Sequence, residues 1–95
     1  MDTEKSEEFY KKLIEQLYDT SKWPSTYLYK FIVLSEKEKI DAINAIFDNT
    51  GAVIESKKSK NGKYTSLSIT VTLKNPEAVV AKYKEVTQIE GVISL

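Results

Sequence analysis

Ser59-Lys60-Asn61-Gly62-Lys63-Tyr64-Thr65-Ser66-Leu67-Ser68-Ile69-Thr70-Val71 is the stretch that decides how this chain folds. Asparagine and glycine both tolerate positive φ, so Asn61-Gly62 predicts a two-residue hairpin turn. The residues behind it, 63–73, alternate. Leu67, Ile69, Val71 and Leu73 face one way, and Tyr64, Ser66, Ser68, Thr70 and Thr72 face the other. A period of two with one apolar side predicts a strand buried on one face and wet or lightly covered on the other. A hairpin needs a strand before its turn, and residues 52–60 supply a weaker one.

Upstream, residues 25–34 (Ser-Thr-Tyr-Leu-Tyr-Lys-Phe-Ile-Val-Leu) are rich in aromatic and β-branched types and predict a further strand. Tyr27, Tyr29, Phe31 and Val33 share one face of it, with Leu28, Lys30, Ile32 and Leu34 on the other. Lys30 marks the second face as the open one, although its apolar neighbours suit a cover, either the first helix or a partner. Ser35-Glu36-Lys37-Glu38 has the Ser-x-x-Glu form of a capping box, in which hydroxyl and carboxylate satisfy the free amides of a helix start. Ile40, Ile43, Ile46 and Phe47 then face inward, and Gly51 is placed to end that helix. Downstream, Asn75-Pro76 predicts an N-cap followed by proline at the first helical position. Val79, Val80, Tyr83 and Val86 stripe the helix behind it, and Gly91 precedes a short strand at residues 92–95. At the front, residues 6–20 form a helix with Glu7 and Glu8 in its first turn and an apolar face of Phe9, Tyr10, Leu13, Ile14, Leu17 and Tyr18. Trp23-Pro24 blocks its continuation, because the residue before proline is pushed out of the helical region.

The order is therefore one helix, then β-α-β-β-α-β. Two crossovers flanking one hairpin predict an α+β ferredoxin-like sandwich, with an antiparallel sheet in strand order 4-1-3-2 and two helices on one face. That order places the strongest strands, 25–34 and 63–73, at the centre. The whole chain, 1–95, reads as one domain, with 6–20 as an additional N-terminal helix and 25–95 as the core.

Composition removes many chemistries. The chain contains no histidine, no cysteine and no arginine; all fourteen basic residues are lysines, balanced by fourteen acids. Catalytic triads, thiol chemistry and the usual zinc or copper ligands are thus excluded. The three glycines lie too far apart for a phosphate-binding loop. No cofactor or metal is expected. Glu36 with Glu38, or Glu85 with Glu90, could serve as paired acids, but acids interleaved with lysines on helices read as solvated ion pairs. Ser66 with Lys63 or Lys30 could be read as a nucleophile and base, and equally as an ordinary hydroxylated strand face. The first residues hold no apolar run, so neither a signal peptide nor a membrane span is expected, and the cytoplasm is the default location. Charge is uneven, with six acids against three lysines in residues 1–20, and Lys57, Lys58, Lys60 and Lys63 against Glu55 in residues 55–63. Lysines on a hairpin discourage edge-to-edge pairing of sheets.

RNA-recognition domains share this element order, but they stack bases on two or three exposed rings of the central strands. Here Tyr64 is followed by Ser66 and Ser68, so at most a weak RNA-binding domain is expected, and nucleic acid is disfavoured as a partner.

Two stretches carry a resemblance. The hairpin 59–71 is similar to the Ser-x-x-Gly-x-Tyr-x-Ser-x-Ser/Thr-Ile-x-Val hairpin of the YbeD-like bacterial proteins, a family of unknown function. Residues 23–31 resemble its aromatic-Pro entry into a first strand. The likeness covers roughly residues 15–95. It implies a ferredoxin-like sandwich resembling the ACT-type regulatory domains that sense amino acids, in small cytosolic proteins whose genes neighbour those of lipoate metabolism. It carries over no catalytic residue. The matching positions are Lys30, Ser59, Gly62, Tyr64, Ser66 and Ser68; Gly62 has a backbone explanation already. One departure is the turn Leu34-Ser35-Glu36, which lacks the small-residue glycine turn of ACT ligand sites.

The expectation is a non-catalytic regulatory or protein-interaction module, with Lys30, Ser59, Tyr64, Ser66 and Ser68 as candidate surface. Its partner would be a protein, for instance a metabolic enzyme, or a second copy in a homodimer. The alternative is an ACT-like sensor of an amino acid or acyl cofactor.

Overall fold

A computed structural model describes residues 3–94, with the backbone alone for residues 3–6. The elements are α1 (Thr3–Thr20), β1 (Ser25–Leu34), α2 (Lys37–Ile46), β2 (Val53–Lys58), β3 (Tyr64–Leu73), α3 (Pro76–Thr87) and β4 (Ile93–Ser94). Leu95, expected in the last strand, lies outside the described residues. The four strands form one antiparallel sheet in the order β2-β3-β1-β4, the arrangement expected. Its centre is the pairing of β1 with β3, in register from Ser25 opposite Leu73 to Leu34 opposite Tyr64.

That register sorts the side chains. Tyr29, Phe31 and Val33 of β1 and Leu67, Ile69, Val71 and Leu73 of β3 are buried on the inner face. Ile43 of α2 and its C-cap residue Phe47 close over them, as do Val79, Tyr83 and Val86 of α3. Tyr29 is the hub, its ring centroid 4.8 Å from Tyr83 and 5.1 Å from Phe47 at steep angles that suit the aromatic quadrupoles. Each such side chain contributes about 1.5–3 kcal/mol when removed from water. Helix α3 starts as its sequence predicts: Asn75 Oδ1 accepts the Ala78 amide at 2.8 Å, with Pro76 in the first turn.

Two local expectations fail, and the structure decides against one of two alternatives left open for the outer sheet face. The capping box does not form: Glu36 is the N-cap of α2 and makes no side-chain cap bond. Ser35 is still tied to the sheet, its amide donating to Lys63 O at 2.9 Å. Its hydroxyl meets Thr65 Oγ1 at 2.8 Å, and a hydroxyl as buried as that of Thr65 needs a partner more than an exposed helix start does. The turn is not two residues long. Ser59 N–H donates to Tyr64 O at 2.7 Å, Gly62 N–H donates to Ser59 O at 2.8 Å, and within the loop only Gly62, at φ +76°, enters the left-handed region. Asn61 acts through its side chain instead, Oδ1 accepting the Lys63 amide at 3.0 Å.

The alternative concerns α1. It does not cover the outer sheet face; it lies along α3 on the helical side. Tyr10, Leu13 and Leu17 pack against the core rim. Trp23 Nε1 donates to Leu17 O at 3.1 Å, and Tyr18 Oη donates to Glu77 Oε1 at 2.7 Å. Contact along one flank cannot bury both edges of the expected apolar face, so Phe9 and Tyr18 remain exposed.

Candidate functional site

With α1 on the other side, the outer face of the sheet is open, and the register dictates its rows. Ser66 sits between Lys57 of β2 and Ile32 of β1, and Ile93 of β4 continues that row. Ser68 sits between Glu55 and Lys30 in the next. Thr70 separates Val53 from Leu28 in the third. Short hydroxylated side chains along β3, flanked by longer ones, leave a trough. Its middle, about 630 Å³, is lined by Lys30, Glu55, Lys57, Ser66 and Ser68. Its hairpin end, about 440 Å³, is lined by Ile32, Lys57, Ser59, Lys60, Tyr64 and Ser66. Lys57 and Ser66 border both parts, so all five candidate residues line one surface.

They do different things there. Ser59 is a hairpin residue: its hydroxyl donates to Asn61 Oδ1 at 3.0 Å and accepts the Tyr64 amide at 3.1 Å. Ser66 Oγ donates to Lys57 O at 3.3 Å, so it is engaged by backbone and not by Lys63 or Lys30. Ser68 has no hydrogen-bond partner among the described residues and faces the trough. Tyr64 stands at the hairpin end with Lys63 Nζ 5.6 Å from its ring centre, within cation–π range. Lys57 and Glu55, read from sequence as hairpin charges, and Ile32, read as an outer-face strand residue, are not among the five candidate residues. Only the pairing of β2 and β1 with β3 brings them beside the serines.

A second depression, about 490 Å³, lies between α1 and α3 and is lined by Tyr10, Ile14, Tyr18, Val80 and Lys84. At the start of α2, Lys37 pairs with Asp41 at 2.7 Å and Lys39 with the N-cap Glu36 at 3.7 Å. Among the described residues, no group of three or more carboxylates is placed to hold a metal ion. None of their helices is long and apolar enough to cross a membrane.

A family model described as "Protein of unknown function (DUF493)" matches residues 19–95. The chain belongs to the DUF493 family. This is the YbeD-like family that the hairpin resembles. The DUF493 match begins at the last turn of α1, later than the residue 15 expected, so nearly all of that helix lies outside it. Among solved structures, the DUF493 fold is similar to protein HP0495 from H. pylori, with TM-score 0.63 and 20% identity over 80% of this chain and 86% of that one. It is also similar to the ACT domain of a GTP pyrophosphokinase from Chlorobium tepidum, with TM-score 0.52 and 10% identity over 75% of this chain and 100% of that one. At such identities the likeness is one of fold. No curated protein matches the chain.

Proposed function

We propose that this DUF493 protein is a non-catalytic, cytoplasmic regulatory module that binds a partner protein through the outer face of its sheet. The observation that supports this reading is the open face itself. Leu28, Val53 and Ile93 stand 51%, 63% and 53% exposed on it, around a polar trough, with no helix of the described residues over them. A metabolic enzyme or a second copy of the chain is the kind of partner this face suits. The absence of histidine and cysteine from the sequence supports a role without catalysis. Size-exclusion chromatography with light scattering, followed by pull-down with wild type, Tyr64→Ala and Ser66→Lys, tests it. The expected result is a dimer or a captured partner that both changes weaken. A monomer whose captured proteins ignore both changes would overturn the reading.

The backbone likeness to an ACT domain favours a second reading, a small-molecule sensor. Here the turn after β1 is occupied by the protein's own bonds, from Ser35 to Lys63 and Thr65. Thermal-shift screening against amino acids and acyl cofactors separates the two. A true ligand at a hundred times its Kd stabilises by about 2.7 kcal/mol.

A further inference from the structure

Resting on the outer-face reading, we propose that the trough over Ser66 and Ser68 receives a short, extended, acidic segment of a partner polypeptide. Shape is the first argument. Successive outward residues on one strand lie about 6.8 Å apart, so Tyr64 to Ser68 spans about 14 Å. An extended chain covers that with about four residues at ~3.4 Å each. The floor is made of small hydroxylated residues, one of which, Ser68, has a hydroxyl unpartnered among the described residues and free for a backbone group.

Charge is the second. Lys57, Lys58 and Lys60 line the hairpin end and Lys30 the middle, against one acid, Glu55. Among the described residues, none of these lysines has a carboxylate within 4.0 Å. Their positive field is therefore unspent locally. Lysines are separate point charges without the planar fork of arginine, so they suit carboxylates spaced along a chain.

The apolar neighbours narrow the partner further. Ile32 lines the trough and pairs with Ile93, which is exposed beside it, offering contact for an aliphatic side chain between the acids. A nucleic-acid strand fits less well, because stacking requires successive rings and Tyr64 is the only aromatic residue lining the trough among the described residues.

The test uses the full chain and a labelled peptide alternating Glu and Leu, followed by amide chemical shifts and fluorescence anisotropy. A peptide with Lys in place of Glu and an oligouridylate serve as comparisons. The expected result is that shifts centre on residues 57, 66 and 68. Affinity falls about tenfold or more in the Lys57→Glu/Lys60→Glu variant, and also falls as ionic strength is raised. No binding, shifts centred on the groove between α1 and α3, an unaffected variant, or equal binding of the Lys peptide or oligouridylate overturns the proposal. Because both lysines are exposed, the variant should keep its melting temperature, which separates lost binding from lost fold. If a partner captured by wild type is lost with Ser66→Lys but kept by the charge-reversed variant, the acidic segment is refuted and the outer-face reading survives.

Discussion

The phenol oxygens of Tyr27 and Tyr83 lie 3.0 Å apart, joining the first half of β1 to α3. Beside them Tyr29 Oη donates to Val79 O at 2.8 Å. Burial pushes the Tyr27 phenol well above the ordinary tyrosine range, and its bond to Tyr83 adds to this. Burial raises Tyr29 further, with smaller contributions from Tyr83 and Tyr27. A raised value in the folded state means that the native protein holds these protons more tightly than the unfolded chain does. Their stabilisation is complete below about pH 10, the unfolded value, and is lost as pH rises above it. Urea midpoints measured against pH should therefore be insensitive to these groups near neutrality and fall steeply in alkali. In Tyr29→Phe the alkaline fall should be shallower. An identical fall would show that Tyr29 is not responsible.

At the end of β1, the Ser35–Thr65 bond replaces the expected capping box. Ser35→Ala should cost about 1–2 kcal/mol, because it orphans a buried hydroxyl. Glu38→Ala should stay within about 0.5 kcal/mol, as for a surface change. Chemical denaturation of both variants checks this, and a large loss in Glu38→Ala would revive the box.

In the hairpin, Gly62→Ala meets no atom within 4 Å of the added carbon, so its whole cost is backbone conformation at φ +76°. About 1–2 kcal/mol is expected. Asn61→Ala removes the acceptor for Ser59 Oγ and the Lys63 amide and should cost about 1 kcal/mol. Asn61→Gly should not rescue it, because residue 61 does not need positive φ. Melting curves of the three variants decide.

Ile69 is fully buried at the centre of β3, and Ile69→Ala should lose about 2–5 kcal/mol. That is a large part of the stability of a small domain. A small shift in denaturation midpoint would mean that the core is not centred there.

Leu17 packs against the core rim, and its carbonyl accepts the bond from Trp23. Leu17→Asp should release α1 from α3 while the sheet persists, since the core residues of β1, β3 and α2 pack without it. Hydrogen exchange should then quicken in α1 and stay slow in β1 and β3. Uniform acceleration would show that α1 and the sheet unfold together.

The element order, the strand order and the inner face of the sheet were legible from residue types, because hydrophobic periodicity and proline or glycine placement act locally along the chain. Tyr29, Phe31, Leu67 and Ile69 could be assigned to one layer from alternation alone. Ser35 could not be assigned correctly, because its partner Thr65 is distant in sequence, and a buried hydroxyl outcompeted a local cap. The side on which α1 docks, and the meeting of Lys57 and Lys30 around Ser66 and Ser68, depend on which elements become neighbours. Strand register and helix packing set those distances, and they are properties of the folded chain as a whole.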